Sequence, residues 1–201
     1  MKQIGLALHH YHQDHGRFPP AVVYSPDGRP LHSWRVLILP YMDQQALYQK
    51  FRLDEPWDSP HNRELLARRP SAYDPVGVAV GRTMTYSQVF NGVGTVFEGR
   101  DGVAMGDIRD GTHETLAVVE AWEPVPWTRP IDLPYVSDAQ LPPLGGVFQT
   151  SKRPYDAHGT DGFTTLFADG TVRYLKKKMP ETTLRKLITR DGGERISADE
   201  Y

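Results

Sequence analysis

The first twenty-one residues, MKQIGLALHHYHQDHGRFPPA, restrict the fold more than any other stretch of the chain. Apolar and aromatic side chains recur there at helical spacing and share one face, formed by Ile4, Leu8, Tyr11 and His15. Gly16 favours a helix end, and Pro19 and Pro20 prevent the helix from continuing. No capping residue precedes the pattern, so the sequence predicts a helix over 1–15 that is truncated, its upper half lying upstream of Met1.

Three further helices are predicted from apolar spacing and from prolines. Residues 32–51 indicate a helix in two parts, separated where Pro40 interrupts the pattern. A short helix is expected over 61–68, and a last one over 180–190 with Pro180 in its first turn. Between the first two helices, residues 17–30 are predicted to be a loop with a turn at Asp27-Gly28.

From residue 83 onward the pattern changes to short runs rich in β-branched and aromatic residues, which are typical of strands. These runs are TMTYSQVF, GTVFEG, ETLAVVEAWE, FTTLFAD and TVRYLKK. A hairpin is predicted between 163–168 and 172–176, with Asp169-Gly170 as a two-residue turn that places both residues at positive φ. Residues 124–147 are rich in proline and lack a period, so we expect an irregular insertion there.

Helices followed by antiparallel strands predict a single α+β domain over 1–201. The 1–15 helix is expected to pack its apolar face on a sheet that contains the 163–168 and 171–176 strands. A chain of 201 residues is long enough to bury a substantial core.

Composition excludes several classes of function. A net charge of −2 and a pI near 6.4 give no support for a nucleic-acid partner. The absence of cysteine rules out disulfides, cysteine zinc sites and thiol catalysis. No apolar run reaches the length of a membrane-spanning helix.

Two groups of residues could bind a metal ion. His9, His10, His12 and His15 lie close together on the first helix, where residues one turn apart could share an ion, but the spacing fixes no third ligand. The stretch DAHGTDGFTTLFADG offers Asp156, His158 and Asp161 as calcium ligands. Its spacing is not that of an EF-hand, and turn formation by these residues and Asp169 is the preferred interpretation. Calcium therefore remains an open alternative, and no other cofactor is expected.

No pattern points to an enzyme. Asp110, His113, Glu114 and Glu120 in IRDGTHETLAVVEA could suggest an acid and a base. We interpret Asp110-Gly111 as a turn before a buried strand, and Glu120 as a residue paired at the strand end. Nucleophile-elbow, P-loop and dinucleotide motifs are absent from the sequence.

The tryptophans and a lysine cluster have structural interpretations as well. Trp34, Trp57, Trp122 and Trp127 could line a ligand groove, but they are expected to serve as core and loop anchors. In particular, Trp127 should hold the long insertion against the body of the domain. Lys176, Lys177 and Lys178 are expected to protect a sheet edge from association.

Several segments, taken in order along nearly the whole chain, resemble one family. After the first helix come HSWRVLILPYMDQQALYQKF, LDEPWDSPHNRELL, IRDGTHETLAVVEA, VPWTRPIDLPY, LGGVF, HGTDGFTTLFADGTVRYL and TLRKLITRDGGE. These segments are similar to those of the planctomycete prepilin-like proteins, which carry a domain of unknown function, a prepilin-type N-terminus and a C-terminal H-x9-D-G motif. Two departures stand out: ten residues separate His158 from Asp169, and His113 and Glu114 replace residues of the usual DGTSNT form.

The resemblance implies a pilin-like or type II secretion pseudopilin-like fold, with a helix laid across an antiparallel sheet. It implies a protein of the cell envelope, anchored in the membrane by an upstream apolar helix and in contact with other pilin-like subunits or envelope proteins. Some secretion pseudopilins carry calcium near the end of their sheet. On this basis we expect a non-catalytic structural or interaction head domain. The alternative is an envelope domain that binds a small ligand or a metal and uses the anchor only as a tether.

Overall fold

A computed structural model of the chain describes residues 1–74, 81–147 and 161–193. The first helix, α1, is Lys2–His15, and it ends where Gly16 adopts a left-handed conformation with φ 71°. Both the helix and its glycine end confirm the sequence prediction. None of the helices in these residues is long and apolar enough to cross a membrane.

The segment after α1 is more ordered than the predicted loop. Strands β1 (Val22–Tyr24) and β2 (Pro30–Ser33) form a small antiparallel hairpin, with Gly28 at φ 85° in its turn. The predicted two-part helix over 32–51 is three short pieces: α2 (Trp34–Leu37), a 3-10 helix (Leu39–Met42) and α3 (Gln45–Tyr48). Ile38 lies between α2 and the 3-10 helix, which has Pro40 in its first turn, and the left-handed Asp43, at φ 57°, ends the 3-10 helix.

The next helix agrees with its prediction. It comprises α4 (Pro60–Leu65), with Ser59 as its N-cap, followed by one 3-10 turn over Leu66–Arg68. Further 3-10 turns cover Ser71–Tyr73 and Met105–Asp107.

The central sheet has four antiparallel strands in the order β3-β5-β7-β8. Their bounds are β3 Met84–Gln88, β5 Leu116–Pro126, β7 Gly162–Phe167 and β8 Val172–Lys176. A separate parallel pair joins two residues from each of β4 (Phe90–Asn91) and β6 (Leu133–Pro134). Strand β5 therefore extends into the region predicted to be irregular, while most of 127–147 has no regular structure.

Two sequence predictions about strands are wrong in detail. GTVFEG, residues 94–99, forms turns and a single bridge from Thr95 to Thr189, because Val96 and Phe97 enter the core from a turn. The β7–β8 hairpin exists, but its loop is longer than two residues. Phe167 accepts a bond from Gly170 and donates one to Thr171, and Gly170 alone has positive φ in this turn.

Side chains along the strands alternate between the two faces of the sheet, so the core has two layers. Val118 and Leu166 face a cluster that contains Ile4 and Leu8 of α1, so α1 packs on the sheet as expected. On the opposite face, Phe163 and Phe167 join a cluster covered by the last helix, α5 (Glu181–Ile188). Leu187 of α5 is fully buried there.

The two glycines of the LGGVF segment, Gly145 and Gly146, lie where a side chain cannot fit. Gly145 and Gly146 donate backbone bonds to Glu120 and Ala121 in the middle of β5. A Cβ atom on Gly146 would overlap the carbonyl oxygen of Trp122. The two glycines are thus required by close backbone approach rather than by turn conformation alone.

We expect Gly146→Ala to destabilise the protein by about 3 kcal/mol, because β5 or the 143–146 segment has to move to relieve the overlap. The matched control is Gly106→Ala, since a Cβ there meets no atom within 4 Å. Urea denaturation of both variants measures the difference. Equal midpoints for Gly146→Ala and Gly106→Ala would contradict this role of the glycine.

Candidate functional site

The Ser33-Trp34-Arg35 triplet turns the chain from β2 into α2 and directs two large side chains inward. Ser33 has extended backbone angles, and its side chain accepts a hydrogen bond from the Arg35 backbone N–H, as an N-cap does. Trp34 and Arg35 are both 0% exposed. The cap therefore places a guanidinium in the middle of the core.

Arg35 forms a fully buried ion pair with Asp132, whose side chain is also 0% exposed. Arg35 Nη2 lies 2.5 Å from Asp132 Oδ1. The remaining nitrogens are used as well: Nε donates to the Ser87 carbonyl at 2.8 Å, and Nη1 donates to Ser33 Oγ at 2.6 Å. The guanidinium thus bonds to three separate parts of the chain.

Asp132 is held by further donors. Its Oδ1 accepts from the Val89 backbone N–H at 3.0 Å and from Trp34 Nε1 at 3.3 Å. Burial raises the pKa of Asp132 to about 6, while the Arg35 charge and these hydrogen bonds oppose the rise. The carboxylate is therefore ionised at neutral pH and neutralises the buried guanidinium.

Asn62 is a second buried polar centre, in the segment LDEPWDSPHNRELL. Its Nδ2 donates to the carbonyls of Arg52, Glu55 and Pro56, at 2.9, 3.3 and 3.0 Å. Its Oδ1 accepts from the Arg52 N–H at 3.0 Å. One side chain thus adds four hydrogen bonds to the turn-rich 52–56 segment, whose Arg52 and Pro56 carbonyls also accept backbone bonds from Glu55 and Ser59.

The histidines of α1 have separate partners. His9 Nε2 donates to the Ala168 carbonyl at 2.9 Å, at the turn between β7 and β8. His12 Nε2 accepts from the Met105 N–H at 3.0 Å. Burial lowers the pKa of His12, and the nearby His9 lowers it further.

His15 and His10 complete the group. The ring of His15 stacks on Tyr11 at 4.0 Å, and its Nδ1 bonds to the Tyr11 carbonyl. His10 is exposed. In the described part of the chain, no three His, Asp or Glu residues lie close enough to hold a metal ion. The helix therefore distributes these rings among different contacts.

Of the three calcium candidates, Asp156 and His158 lie outside the described residues. Asp161 is exposed, and its backbone carbonyl accepts a bond from Lys177 at the end of the β7–β8 hairpin. Its carboxylate lies 3.5 Å from the Tyr174 hydroxyl. Asp169 accepts from both the N–H and the hydroxyl of Thr171, so it has the predicted turn role.

The acidic residues of IRDGTHETLAVVEA also have structural partners. The Asp110 carboxylate accepts from the backbone N–H groups of Gly192 and Gly193, at 2.7 and 2.8 Å. Glu120 accepts from the Thr164 N–H at 2.8 Å, and burial raises its pKa. Asp110 thus fixes the residues after α5. Glu120 is paired as predicted, but it lies in the middle of β5 and not at the strand end, because β5 continues to Pro126.

A groove of about 300 Å³ lies beside α5. Its apolar wall is formed by Trp122, Leu141, Pro142, Phe163, Met179 and Leu184. Lys177 lies over the Trp122 ring at 5.1 Å and donates to the Gly145 carbonyl. This lysine therefore fastens the Gly145 segment to the sheet, in addition to lying next to an edge strand.

The tryptophans divide between core and surface. Trp127 is fully buried, and its Nε1 donates to the Leu66 carbonyl at 2.9 Å, so it anchors the insertion as predicted. Trp57 is only partly buried and lies under Arg129. Of the four, Trp122 alone lines the groove.

The free surface of α1 is the remaining candidate site. Its exposed residues at positions 3, 6, 10 and 13 share one face, opposite Ile4 and Leu8. Leu6 on that face is 58% exposed. A single exposed leucine is ordinary on a protein surface, so this face is distinguished by its position opposite the packed face of α1.

Arg35, Asp132 and Asn62 are the important residues that the sequence analysis did not single out. The sequence signal at Asp132 was a single acid between Ile131 and Leu133 in an apolar stretch. For Asn62 there was no such signal, because its partners are backbone carbonyls.

We expect Arg35→Met to cost about 3 to 5 kcal/mol of stability, because it leaves the Asp132 charge buried without its partner. Combining it with Asp132→Leu should recover part of the loss, since neither charge then remains, while the Val89 N–H and Trp34 Nε1 lose their acceptor. The control is Arg29→Met, which breaks the exposed pair with Asp27 and should leave the melting temperature almost unchanged. Similar melting temperatures for Arg35→Met and Arg29→Met would disprove the central role of the buried pair.

We expect calcium to leave the melting temperature within about 2 °C of its value in EDTA, because Asp169 is already used by the hairpin turn. Thermal denaturation in EDTA, in calcium and in magnesium makes the measurement. A larger shift specific to calcium and lost in Asp161→Asn would establish the alternative.

Comparison with known proteins gives one match. Residues 1–78 match a family described as a protein of unknown function (DUF1559). The matched part contains α1, the β1–β2 hairpin and α2 to α4, including Arg35 and Asn62. No curated protein and no solved structure matches the chain.

Proposed function

We propose that this chain is the non-catalytic interaction head of a pilin-like protein of the cell envelope, with α1 as the lower part of its stem. The observation that carries the proposal is the two-sided surface of α1. One side packs on the sheet through Ile4 and Leu8, and the other presents Leu6 and polar residues to the outside.

The arrangement suits a subunit that assembles through its stem. A helix laid across an antiparallel sheet gives the head a fixed orientation relative to the helix axis. His9 and Tyr41 add polar contacts to this orientation, because His9 bonds to Ala168 and Tyr41 donates to Asp14 on α1. Neighbouring stems can then meet along the exposed face while the heads remain outside. Other pilin-like subunits or envelope proteins are the proposed partners, and an upstream apolar helix is the proposed membrane anchor.

A second candidate function is a membrane-tethered domain that binds a small apolar ligand. The groove beside Trp122 favours it, since pockets for small molecules are concave and mostly apolar. The two functions differ in what α1 contacts. A tethered ligand-binding domain needs no contact between stems.

The test uses the full-length protein in its native cells. Because these 201 residues contain no cysteine, a single thiol can be introduced at a chosen position. Single variants Leu6→Cys and His10→Cys place a thiol on the exposed face of α1, and Arg82→Cys places one on an exposed residue before β3. After treatment with a bis-maleimide, we expect cross-linked dimers from the two α1 positions, found in the envelope fraction. The Arg82 control should remain monomeric.

Two results would count against the proposal. Monomeric protein from both α1 variants, with thiols that still react with a monofunctional maleimide, would favour the tethered ligand-binding domain. Recovery of the full-length protein in the cytosolic fraction would exclude the envelope role altogether.

A further inference from the structure

Three contacts join the lower end of α1 to the segment 102–105. Phe18 donates its backbone N–H to Val103 at 2.8 Å, and Arg17 Nη1 donates to the Gly102 carbonyl at 3.2 Å. The third contact is the bond from the Met105 N–H to His12 Nε2, at 3.0 Å. Only this last one involves a group that titrates near neutral pH.

The direction of the Met105 bond fixes the protonation state of His12. A backbone N–H can only donate, so Nε2 must carry a lone pair and the ring must be neutral. Protonation would give His12 an N–H on both ring nitrogens. Two donors would then face each other across this contact, and the bond would be lost.

The groups around His12 do not compensate for a positive charge. His9, one turn earlier on α1, disfavours a positive charge on His12 and lowers its pKa. The ring of Phe18 lies 5.2 Å from that of His12 and offers no carboxylate or carbonyl acceptor. Arg17 on the adjoining segment is also cationic, and the acids Asp101 and Asp107 on the facing segment are exposed.

We propose that His12 is an acid-sensitive latch, which holds the segment 102–105 on the base of α1 at neutral pH and releases it on acidification.

The sign of the effect follows from the neutral form in the folded state. Burial, the larger cause, and then His9 lower the pKa of His12 below its ordinary value of 6.5. Stability from this contact is therefore fully present above pH 6.5 and is lost as the pH falls through the lowered pKa. The middle of α1 stays attached, because Ile4, Leu8 and the His9–Ala168 bond do not require a neutral ring. Acid would thus loosen the base of the stem without unfolding the head.

Amide hydrogen exchange, followed by NMR on the chain described here, tests the latch. After correction for the intrinsic effect of pH, protection of the Met105 amide should fall about fivefold or more between pH 7.5 and pH 5. His12→Gln can still present an oxygen acceptor but cannot be protonated, so its Met105 protection should not change with pH. His10→Gln alters an exposed histidine on the same helix and should behave like the wild type.

A second measurement does not depend on any variant. Nitrogen chemical shifts of the His12 ring at pH 7.5 should show an unprotonated Nε2 and a protonated Nδ1. A protonated Nε2 at that pH would overturn the proposal. So would equal Met105 protection at both pH values in the wild type, or an equal loss of protection in His12→Gln.

Discussion

The structure depends on one buried charge pair, Arg35 with Asp132. Removing two charges from water is costly, and their attraction offsets the cost only when every other donor and acceptor is also satisfied. Ser33, Ser87, Val89 and Trp34 supply those partners. Arg35 lies in α2, Ser87 and Val89 lie in and directly after β3, and Asp132 lies in the insertion. The pair therefore fixes three distant segments relative to one another. The free-energy cost of burying the two charges is therefore offset only when all three segments are in place.

The aromatic core is built around this pair. Trp34 meets Phe97 with ring centroids 5.7 Å apart, and Tyr73 stacks on Trp127 at 5.9 Å. The Tyr73 hydroxyl donates to the Arg35 carbonyl, so the aromatic cluster is also hydrogen-bonded to Arg35. Trp34 belongs to the part that matches the family of unknown function, whereas Trp127 comes from the insertion. The pair and its aromatic shell thus join the matched N-terminal part to the rest of the chain.

Local signals in the sequence predicted the elements whose structure is decided locally. The apolar spacing and Gly16 gave α1, Asp169-Gly170 located the β7–β8 hairpin, and Pro180 marked the start of α5. The sequence predictions failed where contacts with residues distant in the chain determine the structure. Residues 94–99 have strand-like composition, but Glu98 bonds to Gly94 and to Arg190 from the end of the chain, which holds them as turns. Asp132 and Asn62 could not be ranked above other acids and amides, because their importance comes from partners that only the fold brings near.

The contacts of α1 with the rest of the domain fall into two groups. At its middle the helix is joined to the β7–β8 turn by His9, and Gly5 lies so close to Leu166 that a side chain there would collide with it. At its base it is joined to 102–105 by His12 and by the residues that follow. The helix is therefore held by the central sheet, which is tied to the Arg35 pair through β3, and by a segment without regular strands. The attachment to the sheet combines apolar contacts with the His9–Ala168 bond, whereas the lower attachment is polar and its His12 bond depends on a neutral ring. Loss of the lower contact would thus leave the packing of α1 on the sheet in place.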